Sequence, residues 1–320
     1  LSRKDLLMID KTGEKRVLIL LGPTAVGKTG ASILLARRLG TEIISADSMQ
    51  IYRGMDIGTA KPGPAEMQEV PHHMIDILEP SERFSAGKYV EAVREIIDRL
   101  HRKGKVPLIV GGTGLYIKAL TRGIFPAPGA DHALREHLLR EERESPGSLY
   151  RRLEEVDPGR AEELSPLDTR RVVRALEVVI STGRRMTELI REKTSPLSCD
   201  YIKIGLTRQR DELYRIIERR VEEMFEAGLL NEVRALLQRN PSETPLQAIG
   251  YKEVIQYLEG KMDYPSLLQE VKKATRRYAK RQFTWFRKEE GIRWIDITGI
   301  YEPEEILERI LQVREVRELL

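Results

Sequence analysis

The sequence predicts an α/β protein, with a parallel sheet covered by helices on both faces and a helical insertion in the middle. Short apolar runs alternate with helical stretches through the first third of the chain. The middle then loses its strands and becomes charged and helical. The length, 320 residues, suits about two domains or one domain with a large insertion, and is enough to bury a substantial core. With 41% apolar and 32% charged residues, the composition is that of a globular protein rich in charge.

Val17–Leu21 (VLILL) reads as a short buried strand. Thr29–Leu39 follows as a helix, with apolar Ile33, Leu34 and Leu35 and a stop at Gly40. Thr41–Ser45 and Pro107–Val110 are further strands, the latter preceded by a helix from about Ser85 to His101. Two prolines and a glycine in Phe125–Gly129 mark a boundary. From Asp131 to about Leu164 the sequence is helical, with breaks at Ser145-Pro146-Gly147 and Asp157-Pro158-Gly159. These limits give a discontinuous core of residues 1–125 and 166–320, and an insertion of residues 126–165 that extends at most to about 195. Leu167–Ser181 reads as a helix, Tyr201–Leu206 as a returning strand, the region from Asp211 as helices, and Ile292–Ile297 as a last strand.

Cys199 is the single cysteine, so an intramolecular disulfide and a cysteine-cluster metal site are both excluded. The charged stretch Leu1–Arg16 has no apolar leader core, and Val17–Leu21 is too short to span a bilayer. A cytoplasmic protein with no membrane partner is the expectation. The net charge is only +4, yet Lys272–Lys288 holds eight Lys or Arg residues and no acidic one. On a helical period Val271, Ala274, Tyr278 and Trp285 share one face, with Lys273, Arg276, Arg277 and Lys280 broadly opposite. That pattern fits a solvated amphipathic helix or one that tracks nucleic-acid phosphates. Arg170, Arg171 and Arg174 form a second basic cluster.

Chemistry enters at Gly22-Pro23-Thr24-Ala25-Val26-Gly27-Lys28-Thr29, which matches G-x-x-x-x-G-K-[ST] between a strand and a helix. The glycines let backbone N–H groups wrap a phosphate, the helix start adds its positive dipole end, and Lys28 adds a charge. The Thr29 hydroxyl can ligate Mg2+. The core is therefore P-loop NTPase-like. The loop specifies a polyphosphate, not ATP, because the strand Pro107–Val110 ends in Gly111-Gly112-Thr113-Gly114 with no acidic magnesium ligand. Ligands of open α/β sheets sit beyond the carboxyl ends of the strands, so Asp47 and Thr113 are candidates for the same pocket. Position alone allows Asp47 a second role, as a turn cap.

The loop, the block Asp47-Ser48-Met49-Gln50 continuing through Lys61-Pro62, and Gly111-Gly112-Thr113-Gly114-Leu115-Tyr116 resemble the bacterial tRNA dimethylallyltransferases. Arg174-Ala-Leu-Glu-Val178, Ile249-Gly250-Tyr251-Lys252 and Lys280-Arg281-Gln282-Phe283-Thr284-Trp285 agree in order, from about Val17 to Thr298. The resemblance implies transfer of a dimethylallyl group from its diphosphate to the exocyclic amine of the adenosine 3′ of the anticodon. It implies a channel entered from opposite ends by the prenyl diphosphate and the flipped adenine. Asp47 is then the general base, Thr24 contacts the departing oxygen, and Lys28 and Arg220 act on the diphosphate. Arg220 stands in the short motif Ile217-Glu218-Arg219-Arg220, next to a second arginine. Contacts to the tRNA anticodon stem-loop are implied for Asp47, Ser48, Met49, Gln50, Thr113, Arg135, Arg170, Arg171, Gly250, Tyr251, Lys252, Arg277, Lys280, Arg281, Gln282 and Trp285. The family expectation is a monomer.

Rival readings are a small-molecule P-loop kinase, a nucleotide-gated RNA-binding module, and an enzyme that prenylates free adenine nucleotides. The first lacks its second acidic strand, the second leaves Asp47 and its block unexplained, and the third has no use for the basic C-terminal region. His72 and His73, with no second ligand pair, read as structural. Cys199 reads as inert, and Trp285 and Trp294 as partly core.

Overall fold

A computed structural model describes residues 15–320; residues 1–14, and with them most of the charged stretch Leu1–Arg16, lie outside the described residues. In chain order the elements are β1 (Lys15–Leu21), α1 (Lys28–Leu39), β2 (Ile43–Ala46), α2 (Pro64–Glu69), β3 (His72–His73), α3 (Ala86–Arg102), β4 (Leu108–Gly111) and α4 (Gly114–Thr121). Then come α5 (His132–Glu144), α6 (Ser148–Val156), α7 (Pro158–Glu162), α8 (Thr169–Thr182), α9 (Met186–Lys193) and β5 (Cys199–Thr207). The last are α10 (Arg210–Glu226), α11 (Leu229–Leu237), α12 (Glu243–Leu246), α13 (Tyr251–Leu258), α14 (Tyr264–Phe286), β6 (Ile292–Asp296), α15 (Pro303–Leu311) and α16 (Arg314–Arg317). None of the described helices is long and apolar enough to cross a membrane.

The strands form one parallel sheet in the order β3-β2-β4-β1-β5-β6. β1 lies between β4 and β5, and Val17–Leu21 is fully buried, which is why that run is apolar without alternation. β3 was not foreseen as a strand. His72 and His73 pair with Ile43 and Ile44, and two residues are too few to show a period. Leu21 and Ala46 both register with Gly111. The loops after β1, β2 and β4 therefore leave the sheet side by side at its carboxyl edge.

Compact packing divides the chain into two units. One holds the sheet and runs through Lys118 and from Ser198 to Leu320. Its main core joins Leu18, Leu20, Leu35, Ile204, Ile217 and Ile306. A second cluster in the same unit gathers Tyr52, Met55, Phe225, Val233 and Tyr251 under the β2–α2 segment.

The other unit, Ala119–Leu197, is helical. The break at Ser145-Pro146-Gly147 falls between α5 and α6, whereas of Asp157-Pro158-Gly159 only Asp157 separates α6 from α7: it caps α7, and Pro158 and Gly159 are that helix's first residues. α8 belongs to this unit because Val172, Val173 and Leu176 pack on Leu138, Leu149 and Leu153. Within it the fully buried Glu177 accepts both guanidinium arms of Arg135 at 3.0 and 2.9 Å, pairs with Arg174, and accepts the Asp131 N–H at 2.7 Å. A buried carboxylate so enclosed stays ionised, and its pKa is lowered by these donors against the cost of burial. The Arg174–Val178 motif is thus a local structural clamp.

Candidate active site

The loop after β1 turns through positive φ at Gly22 (153°), Ala25 (63°) and Gly27 (111°). The N–H groups of Ala25, Val26 and Gly27 have no acceptor among the described residues. α1 begins at Lys28 without a side-chain cap, so its first N–H groups are open as well. Together these donors make an anion cradle. Lys28 Nζ donates to the carbonyls of Gly22 at 2.9 Å and Pro23 at 2.8 Å. Burial, and secondly the Arg220 guanidinium, lower the Lys28 pKa to about 7 against the opposing pull of Asp47.

Asp47 follows β2 directly. Its Oδ1 accepts the N–H groups of Met49 at 2.8 Å and Gln50 at 3.3 Å, so the residue does cap a turn. Its Oδ2 has no donor among the described residues, so capping leaves one oxygen available for chemistry. Thr113 braces this turn from β4: its N–H donates to Ala46 O and its Oγ1 accepts the Ser48 N–H, both at 3.1 Å. Tyr278 of α14 also hydrogen-bonds Thr113. Gln50 accepts from Ser45 Oγ at 3.1 Å and donates to the carbonyls of Thr59 and Ala60, each at 3.3 Å.

Arg220 comes from α10 and donates to Thr24 Oγ1 at 3.4 Å. Burial lowers its pKa, opposed by Asp47 and Glu223, and a guanidinium remains charged regardless. Arg219, its neighbour in sequence, is exposed and pairs with Glu223 at 3.5 Å.

Two cavities meet at a wall made by Thr24, Ala25, Asp47, Thr59, Arg220 and Tyr278. One, of about 330 Å³, is floored by the phosphate loop. The other, of about 270 Å³, is lined by Met49, Ile217, Val221, Met224, Ile249 and Val271, and reaches Gly250, Tyr251 and Arg281. A polar cradle and an apolar pocket thus share a wall that carries a carboxylate, a hydroxyl and a cation.

The long block after Asp47 is held from outside. Glu232 of α11 accepts the N–H groups of Asp56, Ile57 and Gly58 at 2.9, 2.7 and 3.0 Å, and also the Tyr251 hydroxyl. A Cβ on Gly58 would lie 2.4 Å from the Tyr251 ring, so only glycine lets the loop close on it. The Lys61 ammonium, 2% exposed, donates to Tyr52 O at 2.9 Å and pairs with Asp56 and Asp76. Tyr251 is accordingly a fully buried support with its hydroxyl engaged. Glu232 and Tyr278 were both missed as site residues. Glu232 gives no local signal, whereas Tyr278 lies inside the basic helix already singled out.

The face assigned to α14 needs correction. Its buried stripe is Leu267, Val271, Ala279, Gln282 and Phe286, while Tyr278 lines both cavities. Lys272 is buried and pairs with Glu222, Lys273 pairs with Glu270, and Arg276 pairs with Glu218. The carboxylates Glu218 and Glu222 come from α10, out of view in the local sequence. Arg277, Lys280 and Arg281 remain exposed on successive turns, as does Lys252 at the start of α13. Arg281 also lies over the Tyr278 ring, 5.7 Å from its centroid. Trp285 packs against Gly114, where a Cβ would come within 2.1 Å of the indole. Arg135, Arg170 and Arg171 belong to the helical unit.

Among the described residues no cluster of three or more His, Cys, Asp or Glu could hold a metal. His72 and His73 are engaged by Val70 O at 2.7 Å and Glu42 at 2.8 Å. Thr29 is exposed at the cradle, and Asp47 and Glu223 line the same cavity. This donor set fits Mg2+, which keeps several waters and takes one or two protein ligands plus substrate phosphate oxygens.

Fold and site define a phosphate-loop α/β protein with an open anion cradle beside a second, apolar pocket. The chain belongs to the IPP transferase family, whose profile matches residues 50–289. The tRNA dimethylallyltransferase of Thermodesulfovibrio yellowstonii is 51% identical over 304 residues, covering 93% of this chain and 96% of that protein. That of Pelotomaculum thermopropionicum is 44% identical over 311 residues, covering 96% of this chain and 99% of the relative. The crystal structure of the tRNA isopentenylpyrophosphate transferase of Bacillus halodurans is similar with a TM-score of 0.70 at 40% identity, covering 95% of this chain and 97% of that one. A eukaryotic dimethylallyltransferase acting on tRNA gives 0.79 at 30% identity, covering 93% of this chain and 78% of that one.

Proposed function

We propose that the protein transfers a dimethylallyl group from dimethylallyl diphosphate to the exocyclic amine of the adenosine immediately 3′ of the anticodon. The substrates are tRNAs that read codons starting with U, and the products are isopentenyladenosine and diphosphate. The observation that carries this reading is the shared wall, where Thr24, Asp47 and Arg220 stand between a phosphate cradle and an apolar cavity.

An adenine amine is a weak nucleophile because its lone pair is delocalised into the ring. Asp47, with Oδ2 uncommitted, accepts the amine proton as nitrogen attacks the first prenyl carbon. The carbon–oxygen bond breaks, and diphosphate leaves with the electron pair. Charge growing on the departing oxygens meets the Thr24 hydroxyl, the Arg220 guanidinium, Lys28 and the open N–H groups of Ala25 to Gly27. Mg2+, held by the Thr29 hydroxyl and the diphosphate oxygens, would supply further charge neutralisation there. The anticodon stem-loop would meet the exposed Arg277, Lys280, Arg281 and Lys252; the resemblance alone adds Arg135, Arg170 and Arg171, which belong to the helical unit. The same reading includes a monomer acting in the cytoplasm.

Incubation with dimethylallyl diphosphate and total tRNA, followed by nucleoside mass analysis, tests the proposal. Isopentenyladenosine is the expected product. ATP turnover without any prenylated nucleoside would point to the kinase instead.

A further inference from the structure

Gln282 lies in the basic stretch of α14, where Lys280 and Arg281 face solvent. Its own side chain is 6% exposed and turned inward. Oε1 accepts the Thr24 N–H at 2.9 Å, and Nε2 donates to Gly112 O at 2.9 Å. These two partners fix the orientation of the amide, since one can only donate and the other can only accept. Gly112 makes room for it: a Cβ there would lie 2.2 Å from Nε2. Gln282 therefore ties the phosphate loop, which follows β1, to the adjoining end of β4.

The bond to Thr24 has a geometric consequence. The N–H of Thr24 is committed to Gln282, while those of Ala25, Val26 and Gly27 stay open for an anion. Fixing the Pro23–Thr24 peptide also fixes the root of the Thr24 side chain, whose Oγ1 meets Arg220. With both of its polar groups used, Gln282 has little left to offer RNA.

We infer that Gln282 is a positioning residue for prenyl transfer, acting through Thr24, and not an RNA contact. The inference rests on the proposed reading of the loop as the diphosphate site.

Gln282→Met keeps the volume and removes both bonds. Gln282→Asn keeps an amide one methylene too short to reach both partners. Inorganic pyrophosphate and a tRNA anticodon stem-loop are titrated separately into wild type and each variant, and turnover with dimethylallyl diphosphate is measured. The pyrophosphate Kd should rise roughly tenfold, kcat should fall by at least that factor, and the stem-loop Kd should stay within about twofold. Unchanged pyrophosphate affinity and kcat, or a loss confined to the stem-loop, would overturn the inference. Amide exchange in the wild-type protein needs no variant. Thr24 should be protected before ligand is added, and Ala25 and Val26 only after pyrophosphate. A Thr24 amide that exchanges as fast as Ala25 in the free protein refutes the anchoring. If wild type binds pyrophosphate but transfers no prenyl group, the proposed reaction fails, and the binding and exchange results still decide the role of Gln282.

Discussion

Above pH 7, diphosphate should bind more weakly as pH rises, and Lys28 is the reason. In the free protein its pKa is lowered to about 7 by burial and by Arg220. At pH 8 most of this side chain is therefore neutral. A bound diphosphate favours the ammonium, so the complex holds a proton that the free protein has lost. The sign follows: affinity is full below pH 7 and falls between the free and bound pKa values. If the anion restores an ordinary lysine pKa, the Kd rises about fivefold from pH 7 to 8 and roughly ninefold more from 8 to 9. Working above pH 7 avoids most of the last ionisation of an alkyl diphosphate such as dimethylallyl diphosphate, which, like that of a phosphate monoester, lies near pH ~6. Calorimetry with dimethylallyl diphosphate in the absence of tRNA at pH 8, in two buffers of different ionisation enthalpy, should show uptake of about 0.9 proton. Lys28→Met should bind weakly at every pH and show neither the slope nor this uptake. A wild-type affinity that is flat from pH 7 to 9, with no proton taken up, would refute the reasoning.

Asp47→Asn preserves an Oδ1 acceptor for the Met49 and Gln50 N–H groups but cannot take a proton at neutral pH. Single-turnover transfer should slow by about a hundredfold or more while both substrates still bind; a wild-type rate would mean that the base lies elsewhere. Reversing charge at Arg277 and Lys280 should weaken tRNA binding and reduce its salt slope by roughly one per lost phosphate contact, with prenyl diphosphate binding intact. Equal tRNA affinity across salt would make that face ordinary solvated surface. Glu232→Ala strips the acceptor from three backbone N–H groups. Denaturant titration should show a loss of roughly 3 kcal/mol, and a stability unchanged within error would mean that water replaces the carboxylate without cost.

Much of the site was legible because its residues lie in short contiguous runs. The phosphate loop had to follow a buried strand and open a helix, and both contexts are set by local apolar pattern and by the glycines at 22 and 27. Asp47 and Thr113 could be assigned to one edge of the sheet because parallel strands deliver their following loops there, and the register of Leu21 and Ala46 with Gly111 realises this; Asp47 lines both cavities, whereas Thr113 lines neither and braces the Asp47 turn from behind. The break at Ser145-Pro146-Gly147 was visible for a similar reason, since Pro and Gly act on the backbone where they stand, while Pro158 instead opens a helix, where its missing N–H costs nothing.

What only the tertiary structure decided depends on partners far away in sequence. In a stretch with no acidic residue, Lys273, Arg276, Arg277 and Lys280 read as one charged face. Yet α10 brings Glu218 and Glu222 against Arg276 and Lys272, leaving fewer cations for RNA. Asp47 was posed as base or cap, and the structure gives it one oxygen for capping and leaves the other open. Glu232 lies 174 residues from Gly58, whose N–H it accepts, and no periodicity connects them. Gln282 carries the same lesson: the resemblance placed it among RNA contacts. Its amide points inward because α14 packs that side on Gly112, and a buried amide must find its partners there.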